Sequence, residues 1–414
     1  MRRLTPAGAL LVIAACADPT TLNGPRGSGR DPGHSSANVI SETSSALWDR
    51  IITGETGMGS LYQLYLPPQW NGTAVFYARG IRDVLEPVSL RDQDNLGLIR
   101  DQLGQMGIAV AYSSYSENGY AEKDGVQRTH QLRGLFASAF GAPTRSLLVG
   151  HSLGGLVAIN VAEKFAGQYD GVAAFCGVVG GTQAELDHMV TTRLLFDLFY
   201  PGVLPGSYDQ PPSGFIIGVP ERDKIIAAIT ANPLGLAAIA SVAQASLQFN
   251  PASPQAQTQM VTSLITALSF HARGADNVLP LLNGFPFDNL ETTYTASQIP
   301  LLPQPVLSGI LAMINANAPR RAGDPSAMNY TERNFTPSGA LRIPTLTLHN
   351  RWDPLVPFFH EPMFGDRVAK AGAAGLLVQR TKNEYGHCNF TVSEQVQAIS
   401  DLLDWVESSV KPAN

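Results

Sequence analysis

Ser152 sits in the run Gly150-His151-Ser152-Leu153-Gly154. The apolar residues Leu147, Leu148 and Val149 before it read as a buried strand, and residues 156–165 read as a helix. A serine on a tight strand-to-helix turn presents its hydroxyl beside the unpaired N–H groups of the first helical turn. Such a turn admits only small neighbours, which accounts for glycine at 150 and 154. The chemistry this allows is attack on a carbonyl carbon. A serine hydroxyl is a poor nucleophile at neutral pH, so it needs a base within reach and a group that orients the base.

Two later patches supply both. Residues 343–348 read as a buried strand leading into His349-Asn350-Arg351-Trp352-Asp353-Pro354-Leu355-Val356-Pro357, which puts an acid on a loop just past the strand end. Residues 375–380 read as a last strand, followed by Tyr385-Gly386-His387-Cys388. His387, on a tight glycine turn, is the candidate base. Asp353 would hold its imidazole in the tautomer that accepts the serine proton. The competing assignment for Asp353 is a turn cap before Pro354. His360 falls on a helix start, His349 ends the strand before the acid, and His151 packs against its own turn. His130, His188 and His271 lie in helical stretches. Asp366 and Glu384 are the fallback acids.

The order serine, acid, histidine and the strand–turn–helix setting of Ser152 resemble the α/β-hydrolase superfamily, over roughly residues 48–175 and 341–410. The Asp-Pro-Leu-Val-Pro loop and the Gly-His-Cys sequence resemble secreted bacterial esterases and prolyl-oligopeptidase-like hydrolases. The resemblance implies an α/β fold with a mostly parallel central sheet flanked by helices. It implies an oxyanion hole made by the backbone N–H of Leu153 and that of Ile81, with Gly80 as the alternative donor. Related hydrolases commonly carry His-Gly at that second turn; here the pair is Arg79-Gly80, a partial match.

The elements needed to position these groups are legible in the apolar periodicity. Strand-like runs at 48–53, 61–66, 73–77, 108–112, 146–149 and 172–176 alternate, after the first three, with helix-like runs at 90–106 and 126–140. That alternation predicts a sheet covered on both faces. Residues 113–120 follow a strand and end on the active edge, where Tyr115, Glu117 or Asn118 could touch substrate; a solvated loop is the other reading. After Gly180-Gly181 the strand signals thin out, and apolar residues recur at helical spacing up to residue 339. Residues 46–181 and 340–414 are therefore expected to form the core. Residues 182–339 are expected to form a helical cap, inserted before the acid-bearing strand and lying over Ser152.

The 414 residues carry a net charge of −6 and form no long basic runs, which argues against nucleic acid as a partner. The start of the chain has Arg2 and Arg3, an apolar run too short to span a bilayer, and then Ile13-Ala14-Ala15-Cys16, which resembles a bacterial lipobox. That resemblance implies a signal peptide over residues 1–15 and lipidation of Cys16. The chain would then be exported to the bacterial cell envelope and held to a membrane through its lipid alone; a plain secretory signal is the alternative. Residues 16–45, rich in Pro, Gly and Ser, read as a disordered tether. With Cys16 lipidated, Cys176 and Cys388 remain as an even pair, either bridged or as two buried thiols. The sequence contains no metal-ligand spacing and no dinucleotide fingerprint, so neither metal nor cofactor is expected. The expected activity is hydrolysis of small-molecule or polymer carboxylic esters through an acyl-enzyme. A peptidase or amidase, and a non-catalytic envelope lipoprotein on the same fold, are the rivals.

Overall fold

The computed structural model describes residues 38–413, except 58, 91–93 and 275. The readings placed on Cys16, on residues 1–15 and on the tether as far as residue 37 lie outside the described residues. The strands are β1 (Asn38–Thr43), β2 (Arg50–Thr56), β3 (Ser60–Leu66), β4 (Thr73–Ala78), β5 (Ala109–Ser113), β6 (Arg145–His151), β7 (Gly171–Phe175), β8 (Thr345–Trp352) and β9 (Leu377–Tyr385). The helices among them are α1 (Asp94–Gln105), α2 (Glu122–Phe140) and α3 (Leu153–Lys164). Then come α4 (Thr182–Phe199), α5 (Val219–Ala231), α6 (Pro233–Ala240), α7 (Ala256–Gly274), α8 (Leu279–Leu282), α9 (Gln304–Asn317) and α10 (Pro325–Phe335). The last two are α11 (His360–Lys370) and α12 (Val392–Ser408).

The strands form one sheet in the order β1-β2-β3-β5-β4-β6-β7-β8-β9. Pairing is antiparallel from β1 to the β3–β5 contact and parallel from β5 onward. This is the mostly parallel, helix-covered sheet expected from the sequence. Every residue of β4, β5 and β7 is buried, as a strand covered on both faces requires. Alternation along β4 sends Ala74 and Phe76 to one face, with Phe136, Val157 and Phe364, and Val75 and Tyr77 to the other, with Ile99, Ile399 and Leu402. Helices α2, α3 and α11 thus cover one face, and α1 and α12 the other.

Residues 38–43 correct the tether reading. They pair antiparallel with β2 from Asn38↔Glu55 to Thr43↔Ile51, although all six are exposed. A strand held by backbone hydrogen bonds alone buries no apolar stripe, so composition does not reveal it.

Between β7 and β8 the chain runs through α4–α10. These helices enclose a second apolar core, in which Leu194, Leu195, Ile225, Leu264, Leu268 and Ile314 are fully or almost fully buried. Asn232 ends α5 and caps α6, its side chain accepting from the Gly235 N–H at 3.3 Å. Proline marks several of their boundaries: Pro201 follows α4, and Pro233 and Pro325 open α6 and α10.

Candidate active site

Ser152 stands between the end of β6 and the start of α3 with φ 57° and ψ −126°, a backbone conformation that L residues rarely adopt. Its neighbours show why the turn demands glycine. A Cβ on Gly150 would overlap the Gly154 carbonyl, and a Cβ on Gly154 would overlap the carbonyls of Ala78 and Arg79. The turn is anchored by Ser152 N–H donating to the Phe175 carbonyl at 2.9 Å. The serine side chain is at the edge of burial, 9% exposed, and faces a cavity.

The second turn lies against it. A Cβ on Gly80 would sit 3.3 Å from Ser152 Cβ, and Ile81 and Leu153 both line the cavity with Ser152. The two residues named from the sequence as oxyanion donors therefore line the same cavity as Ser152. The loop is held from behind by Arg79, which is wholly buried. Its Nε donates to the Ser114 carbonyl at 2.9 Å, Nη1 to the Gly80 carbonyl at 2.9 Å, and Nη2 to the Glu117 carbonyl at 2.7 Å and Asn118 Oδ1 at 3.2 Å. The guanidinium also lies 4.2 Å from the centre of the Tyr115 ring. Burial lowers its pKa to about 10, so it stays charged at neutral pH.

Tyr115, Glu117 and Asn118 are thus corrected. None lines the cavity. Tyr115 has φ 58°, which turns its ring inward, and its hydroxyl donates to the Arg79 carbonyl at 3.3 Å. The loop does end at the active edge, but its polar groups hold Arg79, not a ligand. Tyr120, farther along the same loop, does line the cavity. Its hydroxyl lies 2.6 Å from the Thr182 hydroxyl at the start of α4.

Asp353 follows β8 and is completely buried. Its Oδ1 accepts the N–H groups of Leu355 at 2.9 Å and Val356 at 3.0 Å, and its Oδ2 lies 2.8 Å from His387 Nδ1. One carboxylate thus caps its own turn through Oδ1 and meets His387 through Oδ2. The acid thus faces Nδ1 of the ring, and Nε2 is the nitrogen turned away from it. Nε2 is 3.5 Å from Cys388 Sγ. Among the described residues no hydrogen bond joins Ser152 Oγ to His387; such contacts commonly tighten only when substrate is bound. The fallback acids Asp366 and Glu384 are exposed.

Cys176 and Cys388 form a disulfide with Cα atoms 5.2 Å apart, across 212 positions of sequence. Cys176 directly follows Phe175, which holds the Ser152 N–H, and Cys388 directly follows His387. The bridge therefore ties the histidine loop to the strand beside the serine turn. Both cysteines have positive φ.

Two further histidines near the site have structural partners. His151 is buried between Tyr77, 3.1 Å from its Nδ1, and Gln395, 2.8 Å from its Nε2. Burial lowers its pKa to about 3, so it is neutral. His349 lies below the acid loop, with Nε2 2.8 Å from the Val356 carbonyl and Nδ1 3.3 Å from Glu361 Oε1. Burial opposes its protonation, but Glu361, Asp353 and the Val356 carbonyl together raise its pKa. It props the loop that carries Asp353.

Sequence reasoning missed a second acid. Glu185, in the first turn of α4, lines the cavity, and its Oε2 lies 2.6 Å from His360 Nε2. His360 Nδ1 accepts the Gly180 N–H at 3.1 Å, which leaves the ring proton on Nε2 to be given to Glu185. Burial pushes Glu185 up to about 7 and His360 down to about 3, so both shifts favour the neutral forms. The only hint in the sequence is an acid at a helix start.

The cavity is about 490 Å³ and runs from Ser152 under α4 to the end of α7. Leu153, Val178, Leu186, Met189, Phe270 and Phe285 give it mostly apolar walls. His387 is not among the lining residues.

A parallel sheet bearing a strained serine at one strand end, with an acid and a histidine following later strands, settles the architecture. The chain has the α/β-hydrolase fold. No family model matches the chain, and no curated protein matches it. Similar solved structures include Candida antarctica lipase A, at 13% identity, covering 91% of this chain and 83% of that one with a TM-score of 0.46. An esterase from Aspergillus oryzae shows 12% identity over 91% and 85%, also with a TM-score of 0.46. The rice cell wall degrading esterase LipA from Xanthomonas oryzae shows 12% identity over 90% and 97%, with a TM-score of 0.44.

Proposed function

We propose that the protein is a serine hydrolase of carboxylic esters, with Ser152 as nucleophile, His387 as base and Asp353 as orienting acid. The observation that carries this reading is the 2.8 Å contact between Asp353 and His387 Nδ1, made by loops at the strand ends that also hold the strained Ser152 turn. Ser152 Oγ bonds to the ester carbonyl carbon while its proton passes to His387 Nε2. The oxyanion is met by the N–H groups of Leu153 and Ile81, each worth about 3 kcal/mol of transition-state stabilisation. His387 then returns the proton to the leaving alcohol, and an acyl-enzyme remains. A water then bonds to the acyl carbon as it loses a proton to the same Nε2, and His387 passes that proton to Ser152 Oγ as the acid leaves.

In this reading helices α4–α10 act as the cap. They furnish Glu185, Leu186, Met189 and Phe270 to the walls above Ser152, so they select what reaches the serine. Export fits the Cys176–Cys388 bridge, since disulfides persist in oxidising compartments. Anchoring by a lipid on Cys16 belongs to the same proposal.

The test is hydrolysis of p-nitrophenyl esters of graded acyl length, with aminoacyl anilides alongside. Ester turnover is expected, and Ser152→Ala is expected to lower kcat about 10⁶-fold. Turnover of anilides alone, or equal turnover by Ser152→Ala, would overturn the proposal.

A further inference from the structure

Asp353 stands between two imidazoles. His387 Nδ1 lies 2.8 Å from its Oδ2, and His349 Nε2 lies 3.7 Å from the same oxygen. The first ring is the proposed base. The second belongs to none of the steps derived above. His349 is wholly buried on β8, and neither it nor Glu361, the acid beside it on α11, lines the cavity that holds Ser152.

The surroundings of His349 call for two ring protons. Nε2 is 2.8 Å from the Val356 carbonyl, which can only accept, so this nitrogen carries a proton. Nδ1 faces Glu361 Oε1 at 3.3 Å, and among the described residues neither of these buried atoms makes a hydrogen bond to any other group. One proton between them answers both. Glu361 Oε2 accepts from Thr347 Oγ1 at 2.5 Å and from Gln379 Nε2 at 2.6 Å. Two donors on that oxygen stabilise a carboxylate, which assigns the shared proton to the ring. Burial works against a charge on His349, but Glu361 and Asp353 outweigh it and raise its pKa. The other titratable groups near it are Glu185 of α4, pushed by burial up to about 7, and His360 of α11, pushed by burial down to about 3, and these two pair with each other. Phe358 meets the ring in a T-shaped contact and takes the Arg351 guanidinium over its own face.

We propose that Glu361 holds His349 as a buried imidazolium, and that this ion pair is a positioning device for Asp353. The part it plays in hydrolysis rests on the serine hydrolase reading above, whereas the charge on His349 does not. A cation 3.7 Å from Oδ2 favours the ionised carboxylate that faces the base. It also opposes a second positive charge on the far side of Asp353, where His387 has Glu185 and His151 as its other titratable neighbours. Hydrolysis therefore persists to lower pH than it would with a neutral group at 349. His349 and Glu361 act through Asp353 and touch no reacting atom.

The first test reads the ring itself and needs no turnover. In protein made with nitrogen-labelled histidine, NMR counts the protons on each imidazole, and the His349 signal is the one lost in His349→Gln. At about pH 7.5 a free imidazole is mostly neutral. His349 is expected to carry two ring protons there, and only one in Glu361→Gln. The second test is the pH profile of kcat/KM for a p-nitrophenyl ester. His349→Gln keeps a donor for the Val356 carbonyl, and Glu361→Gln keeps an acceptor for Thr347. Each is expected to move the acid limb of the profile up by about one pH unit. A merely structural role would lower the plateau and leave the limb in place. If His349→Gln fails to fold, Glu361→Gln still supplies both readouts. A single ring proton on His349 in the unsubstituted protein, two protons retained in Glu361→Gln, or an acid limb that stays put or moves down would each overturn the proposal. No ester turnover beside a doubly protonated His349 would overturn the hydrolase reading, and with it the role in hydrolysis, while upholding the ion pair.

Discussion

The sheet ends and the helices above them line the site in opposite ways. At the sheet ends two polar groups of the proposed machinery are each held by several partners. Asp353 accepts two backbone N–H groups and His387, and Arg79 makes four hydrogen bonds. In the segment α4–α10 the cavity is walled largely by apolar side chains, among them Leu186, Met189 and Phe270. The first pattern fixes geometry before substrate arrives, as stabilising a developing charge requires. The second offers shape and apolar surface in place of fixed hydrogen bonds. In the proposed reading the two regions divide the labour: one is pre-organised for the reaction, the other selects by shape what reaches it.

Variants can break or sharpen that division. Asp353→Asn retains the volume of the acid but favours the wrong imidazole tautomer. It should lower kcat about 10⁴-fold for every ester alike, as steady-state hydrolysis across the acyl series would show. A loss confined to some esters would erase the distinction between the regions. Arg79→Ala removes the support behind Gly80 and Ile81. The expected loss is about 10²–10³-fold in kcat, comparable to removing one oxyanion donor, again uniform across substrates, together with a lower Tm in a thermal melt. Met189→Trp narrows the cavity from α4. It should reduce the ratio of kcat/KM for long to short acyl chains about 10-fold; a uniform loss would show that this wall is not selecting.

The smallest effect concerns stability. Burial pushes both Glu122 in α2 and Asp187 in α4 up to about 7. Each acid has a higher pKa folded than unfolded, so the folded chain binds more protons between these values. Stability is therefore greatest below about pH 4 from these two groups and falls as pH rises to about 7. Glu122→Gln and Asp187→Asn should each flatten that decline, by roughly 1 kcal/mol across the range, read from urea midpoints at several pH values. A single transition responding to both substitutions would show that the two regions unfold together. Two transitions, one for each substitution, would show that they do not.

Much of the site was legible because each of its parts is local. Glycines at 150 and 154 are dictated by backbone contacts within a few residues of Ser152 and across to Ala78, and the apolar run before Ser152 names the strand. Other features were not legible. Tyr115, Glu117 and Asn118 were rightly placed at the active edge and wrongly aimed, since one residue of positive φ turns the ring inward toward Arg79. Glu185 looks like any acid at a helix start. Its tie to His360 spans 175 positions and has no spacing rule. The strand Asn38–Thr43 was hidden because it buries nothing.

The sequence by itself determined the alternation of strands and helices, the serine turn, the order of serine, acid and histidine, and a long helical segment between β7 and β8. These follow from periodicity and from steric limits that act over a few neighbouring residues. Only the tertiary structure decided that Cys176 meets Cys388, that Arg79 is buried beneath the Gly80 turn, and that Glu185 meets His360. Those outcomes depend on distances between residues far apart in the chain, and such distances exist only once the sheet and the helices above it have packed.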